Sequence, residues 1–117
     1  MNLLEGEPQR FGGALWNGRV WELEPREASP YHWHASEEEW LVVLAGRVTL
    51  RTPDGERLLE PWECAVFPRG EPGAHQVRND GDHIVRIVLV ANRSDPDVRV
   101  YPDDGVTRVV ANGAALL

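Results

Sequence analysis

Two histidines one residue apart, His32 and His34, open the run His32-Trp33-His34-Ala35-Ser36-Glu37-Glu38-Glu39. Side chains alternate across a β-strand, so on an extended backbone both imidazoles face one side and can aim at one point. Three consecutive glutamates follow. A third histidine, His75, comes after the turn-forming stretch Pro68-Arg69-Gly70-Glu71-Pro72-Gly73-Ala74, and Asn79 lies shortly beyond it. Three imidazoles and one carboxylate suit a single divalent transition metal such as iron, manganese, nickel or zinc. They leave the ion with net positive charge and, in octahedral geometry, with open positions for water or substrate. A structural zinc centre is more often closed and rich in cysteine, and Cys64 is the one cysteine of this chain. The chemistry on offer is therefore catalytic in type.

Little else in the chain advertises chemistry. There is no glycine-rich phosphate loop, no nucleophile elbow and no Cys-His pair placed for covalent catalysis. His83, beside Asp82 in a turn, reads as a surface imidazole. Glu38 reads as a solvated turn residue in preference to a general base. Arg86 interrupts the apolar run Ile84-Val85-Arg86-Ile87-Val88-Leu89-Val90, and an outward, solvated position is preferred to a substrate clamp. Trp16, Trp21 or Tyr31 could line a pocket mouth, with core packing the default for each. Trp33 points away from its two histidine neighbours.

The elements that must position these residues are strands. Short apolar runs separated by Gly, Pro, Asn and Asp recur about every ten residues, the spacing of an all-β sandwich or barrel. Expected strands are Ala14–Leu23, Tyr31–His34, Trp40–Ala45, Arg47–Thr52, Arg57–Leu59, Cys64–Phe67, His75–Arg78 and Ile84–Ala91. Gly46, Pro53-Asp54-Gly55 and Asn79-Asp80-Gly81-Asp82 supply the reversals, and connections this short imply antiparallel pairing. Re-entry of the chain at Trp40 puts Glu39 on the face of Leu41, Val43 and Ala45, and Glu38 on that of Trp40, Val42 and Leu44. Both faces are apolar, so alternation alone does not choose between the two glutamates. Strands apolar on both sides need a second layer or a partner subunit outside, which predicts a homodimer or a covering role for residues 95–117. No internal repeat is visible. Met1–Gly13 and Ala111–Leu117 are poorly patterned and are expected to be flexible ends.

Length and composition bound the rest. The 117 residues suit one domain with a hydrophobic core of its own. The apolar neighbours of Cys64 predict a buried thiol, and a lone cysteine fits a reducing cytoplasm. No signal-like segment and no apolar run of membrane-spanning length is present, so a soluble cytoplasmic protein is expected. Twelve basic against 19 acidic residues give a formal charge of −7, which disfavours nucleic acid as a partner.

At the level of motif the chain resembles the cupins. Their first motif runs His-x-His, three or four residues, Glu, six residues, Gly, and counting back from Gly46 selects Glu39. Their second reads Gly, five residues, Pro-x-Gly, two residues, His, three residues, Asn. Pro68-Arg69-Gly70 and His75 to Asn79 match it in order, with two extra residues between Gly70 and His75. Arg26 and Trp62 stand where opening glycines are usual. The resemblance covers Tyr31 to Ala91. It implies a single cupin domain over residues 1–117, folded as a double-stranded β-helix or jelly-roll-like barrel. One metal would be bound through His32, His34, Glu39 and His75. It also implies either a metal-dependent enzyme acting on a small oxygenated molecule, of dioxygenase or sugar or keto-acid isomerase type, or a non-catalytic module that binds or senses a small ligand. The enzyme is the preferred expectation. A sugar phosphate would need a basic cluster in the pocket, and the basic residues are scattered along the chain.

Overall fold

The described part of the protein, in a computed structural model, is residues 10–111 and the backbone of residues 114–115. The expected flexible ends fall largely outside it. β-Branched and aromatic residues in short alternating runs form twelve strands among the described residues. These are β1 (Arg10–Gly12), β2 (Trp16–Leu23), β3 (Trp33–His34), β4 (Glu39–Ala45), β5 (Val48–Thr52) and β6 (Gly55–Leu59). Then come β7 (Cys64–Phe67), β8 (Gln76–Arg78), β9 (Val85–Asn92), β10 (Asp97–Tyr101), β11 (Val106–Ala111) and β12 (Ala114–Ala115). The one helical element among the described residues is a 3-10 turn, Glu71–Gly73, and no helix is long and apolar enough to cross a membrane.

One layer is a five-stranded antiparallel sheet in the order β1-β2-β9-β4-β7. The other is built from β6-β5-β8 and from β12-β11-β10-β3, linked by isolated bridges Ala28↔Arg78 and His32↔His75. Leu23, Leu41, Val43, Ile87 and Leu89 on the first layer pack against Val48, Leu50 and Val77 on the second in one buried core. This is a jelly roll in which the two layers do not close fully into a barrel.

Register explains which side chains face inward. Arg19↔Leu89 and Leu41↔Leu89 are directly paired, as are Glu39↔Ala91, so these residues share the inner face. Glu38 therefore falls outside, exposed, and Glu39 heads the inner face of β4. The same alternation corrects the expectation for Cys64. On β7, Ala65 and Phe67 are buried, so Cys64 and Val66 point out, and the thiol is exposed despite its apolar neighbours.

Strand expectations also need correction at both ends of the chain. Arg10–Gly12, expected as part of a flexible end, pairs with β2 in register Arg10↔Arg19. Residues 97–111, expected as a covering segment or tail, form the hairpin of β10 and β11, and β10 pairs with β3 as Arg99↔His34 and Val100↔Trp33. That pairing carries the C-terminal hairpin to the histidine strand. Arg86 lies on the outer face as expected, but half-buried, with Nη2 2.6 Å from Glu22 Oε1.

Candidate metal centre

His32 and His34 flank Trp33 on the short strand that β10 holds in place, so both imidazoles emerge on the inner side. His75 reaches the same point because its backbone pairs with His32, N to O and O to N, at 3.0 and 3.1 Å. The two extra residues before His75 are absorbed by the 3-10 turn, through Gly73 N to Gly70 O and Ala74 N to Glu71 O, both 3.0 Å. Gly73 cannot be replaced there, since a Cβ would fall 1.7 Å from Pro68 O.

Glu39 Oε1 sits at the centre of the three rings. It is 3.0 Å from His34 Nε2, 3.1 Å from His75 Nε2 and 3.9 Å from His32 Nε2. Separations near 3 Å are the spacing of neighbouring ligands around an ion with bonds of about 2.1 Å. Behind the rings every Nδ1 is engaged. His32 Nδ1 lies 2.9 Å from Pro30 O, His75 Nδ1 2.9 Å from Gly73 O, and His34 Nδ1 2.7 Å from Asp97 Oδ2. Donation from each Nδ1 to these oxygens leaves each Nε2 with its lone pair directed at the common point, the tautomer that metal ligation requires. His34 Nε2 and Glu39 Oε1 are buried and close, yet have no hydrogen-bond partner. Buried polar atoms left in this way are costly unless something else binds them, and a cation would.

Electrostatics divide the rings. Burial holds His32 well down, at about 4, aided by the neighbouring His75 and His34. Burial also acts on His34, but the carboxylates of Glu39 and Asp97 outweigh it and raise its pKa. Glu39 is buried too, yet His34 and His75 hold its carboxyl well below the usual range. Glu37 is pushed up by burial and by the charge of Asp97.

The four expected ligands thus converge, while other residues of the site escaped the sequence reading. Asp97 orients His34 and also accepts from Ser36 N at 3.2 Å. Tyr101 stacks on His32 with centroids 5.6 Å apart, and Phe67 stacks on His75 at 3.7 Å, closing the core side. Trp21 lines a recess of about 150 Å³ beside His32, Glu39 and His75, whereas Tyr31 lies under the Arg51 guanidinium and Trp16 is exposed. His83 is exposed, and Asn79 is structural: its Nδ2 donates to Leu23 O at 2.9 Å and to His83 O at 2.7 Å. A larger cavity of about 1150 Å³ opens on His32, His34, Glu37 and Glu39 and is lined by Arg10, Arg19, Arg93 and Arg99. Basic residues scattered in sequence are gathered here by the fold.

A sugar phosphate isomerase from Silicibacter pomeroyi shares 27% identity with this chain, at a TM-score of 0.83 over 89% of this chain and 67% of that one. The polyketide cyclase RemF from Streptomyces resistomycificus shares 28%, with a TM-score of 0.61 over 69% of this chain and 56% of its own. An octanoyltransferase from Parvibaculum lavamentivorans is 31% identical over 83 residues, and the chain spans 37% of that curated relative's length. A match of residues 19–91 to the family model described as Cupin domain, well over half of the chain, makes this protein a member of the cupin family.

Proposed function

We propose that the protein is a metal-dependent enzyme of isomerase type acting on a small hydroxy-carbonyl compound. The observation that carries this reading is the convergence of three Nε2 atoms on Glu39 Oε1 with every Nδ1 engaged behind them. A divalent ion held by His32, His34, Glu39 and His75 would supply Lewis acidity toward a carbonyl or enolate oxygen. The chain's own residues do the remainder. Asp97, Pro30 O and Gly73 O fix the ring orientations, Phe67 excludes water from the core side, and the cavity admits substrate from the other. Glu37, which lines the same cavity, is the candidate to move a proton between neighbouring carbons.

The isomerase-type neighbour, similar over most of this chain, supports the reading over oxygen chemistry. The test is exchange of carbon-bound hydrogen in D2O, followed by NMR with metal-loaded protein and a panel of aldoses, ketoses and hydroxy-keto acids. Metal-dependent exchange, reduced at least tenfold in Glu37→Gln with metal content unchanged, is expected. Tight stoichiometric binding without exchange would replace the enzyme with a ligand-binding module, and substrate-dependent oxygen uptake with iron would replace it with a dioxygenase.

A further inference from the structure

Arg10, Arg19 and Arg99 meet beside the histidine cluster, the first two without a carboxylate partner and the third with only a distant one. Arg10 and Arg19 are directly opposite one another on β1 and β2, so two guanidinium groups share one face of the sheet. Like charges in that position destabilise an antiparallel pair. Arg99 comes from β10, opposite His34. Five of the other arginines, Arg26, Arg47, Arg51, Arg78 and Arg86, each lie 2.5 to 3.4 Å from a carboxylate. Among the described residues Arg10 and Arg19 have no such pair, and Arg99 has only Asp97 at 3.9 Å, with its buried Nε lacking a hydrogen-bond partner. Arg19 packs over the Trp21 ring at 4.7 Å, a contact that fixes its direction without neutralising it.

Both Arg19 and Arg99 line the recess and the large cavity, together with His32 and Glu39, and Arg10 and Arg93 line the cavity further out. The cavity's four arginines are matched by Glu37, Glu39, Asp95 and Asp97. A divalent ion would add two positive charges that nothing in this wall balances. A phosphate monoester brings about two negative charges and three acceptor oxygens, for which the guanidinium fork is the fitting donor.

We propose that Arg10, Arg19 and Arg99 form an anion subsite that holds the phosphate of a phosphorylated hydroxy-carbonyl substrate while its oxygenated head lies at the histidine cluster. The head's role rests on the isomerase reading; the anion subsite does not. The subsite is tested by titrating the protein with glycerol 3-phosphate, which lacks the carbonyl, and in parallel with malonate, by isothermal calorimetry. Variants are Arg10→Gln, Arg19→Gln, Arg99→Gln and the ligand variant His75→Ala, each checked for folding by circular dichroism. Arg10 is exposed at a sheet edge, so its loss leaves the core untouched. Glycerol 3-phosphate binding weakened at least tenfold in each arginine variant, and retained in His75→Ala, is the expected result. Unchanged affinity in folded Arg10→Gln and Arg19→Gln, or no binding by the parent, overturns the subsite whatever the metal does. Malonate binding as tight as glycerol 3-phosphate and equally arginine-dependent overturns the assignment of phosphate in favour of a dicarboxylate.

Discussion

At the scale of single residues, the metal-free cluster contains two histidines that respond to pH in opposite senses. His34, raised by Glu39 and Asp97, contributes stability that is present below the ordinary value of 6.5 and is lost as pH rises through its folded-state pKa. His32, held at about 4, stays neutral while the unfolded chain takes up its proton, so stability falls as pH drops from 6.5 to about 4. A metal needs both rings neutral. Binding below the raised pKa of His34 must then expel a proton from it, and affinity must fall as the solution is acidified through and below the histidine range of about 6 to 7. Calorimetry of metal binding in buffers of different ionisation enthalpy should read that proton release. In Asp97→Asn the affinity should be about 10- to 100-fold weaker and the proton release smaller, because the oxygen that sets the His34 tautomer has lost its charge. Equal release and affinity in parent and variant would mean that Asp97 does not govern His34.

At the scale of elements, two turns share one construction. Glu24-Pro25-Arg26-Glu27 and Glu60-Pro61-Trp62-Glu63 each close with a backbone hydrogen bond of 3.0 Å from the last residue to the first. In each, the final glutamate also accepts from the first residue's N, at 2.7 and 2.8 Å. Arg26 and Trp62 have φ of 73° and 72°, the third position of a type II turn, where glycine is preferred. These are the two positions at which the cupin motifs carry glycine, so the departures in sequence keep the turn and take on its strain. They also form a short repeat that the sequence reading did not find. Arg26 is partly repaid by hydrogen bonds to Asp80 O and Asp82, whereas Trp62 is 71% exposed and its side chain has no hydrogen bond. Trp62→Gly should therefore raise stability by about 0.5–1 kcal/mol after allowing for the greater freedom of glycine in the unfolded chain. That corresponds to about 2–5 °C in a thermal melt, and a lowered Tm would show that the indole packs usefully.

Also at this scale lies the reason some elements were legible and others were not. Short apolar runs bounded by turn residues, such as Cys64–Phe67, have the expected bounds. Val98 and Val100 alternate with Asp97, Arg99 and Tyr101 before Pro102-Asp103-Asp104-Gly105, a hairpin signal that marks β10 and β11 in the sequence. His32 and His34 are legible because alternation puts both on one face, and Glu39 because the cupin motif counts back to it from Gly46. Asp97 and the arginine cluster are not, because only the pairing of β10 with β3 and of β1 with β2 brings them to the site. No local pattern carries that information.

At the scale of the whole molecule, the outer face of the five-stranded sheet is apolar. Val20, Leu44 and Val88 are covered there by Phe11, Val42 and Val90, while the directly paired Trp40 and Val66 remain 44% and 57% exposed. The homodimer expected from the sequence has this face as its proposed interface, since a contiguous apolar surface on a small domain is a site of association. Light scattering after gel filtration should give a dimer for the parent and a monomer for Trp40→Glu combined with Val66→Glu. A monomeric parent at high concentration would remove the dimer.

The central claim is that His32, His34, Glu39 and His75 hold one divalent metal. Its most direct test is elemental mass spectrometry of untagged protein purified without chelator, beside Glu39→Ala and His75→Ala. Near-stoichiometric metal in the parent and its loss from both folded variants is the predicted result. A parent that remains empty after reconstitution with iron, manganese, nickel and zinc would contradict it.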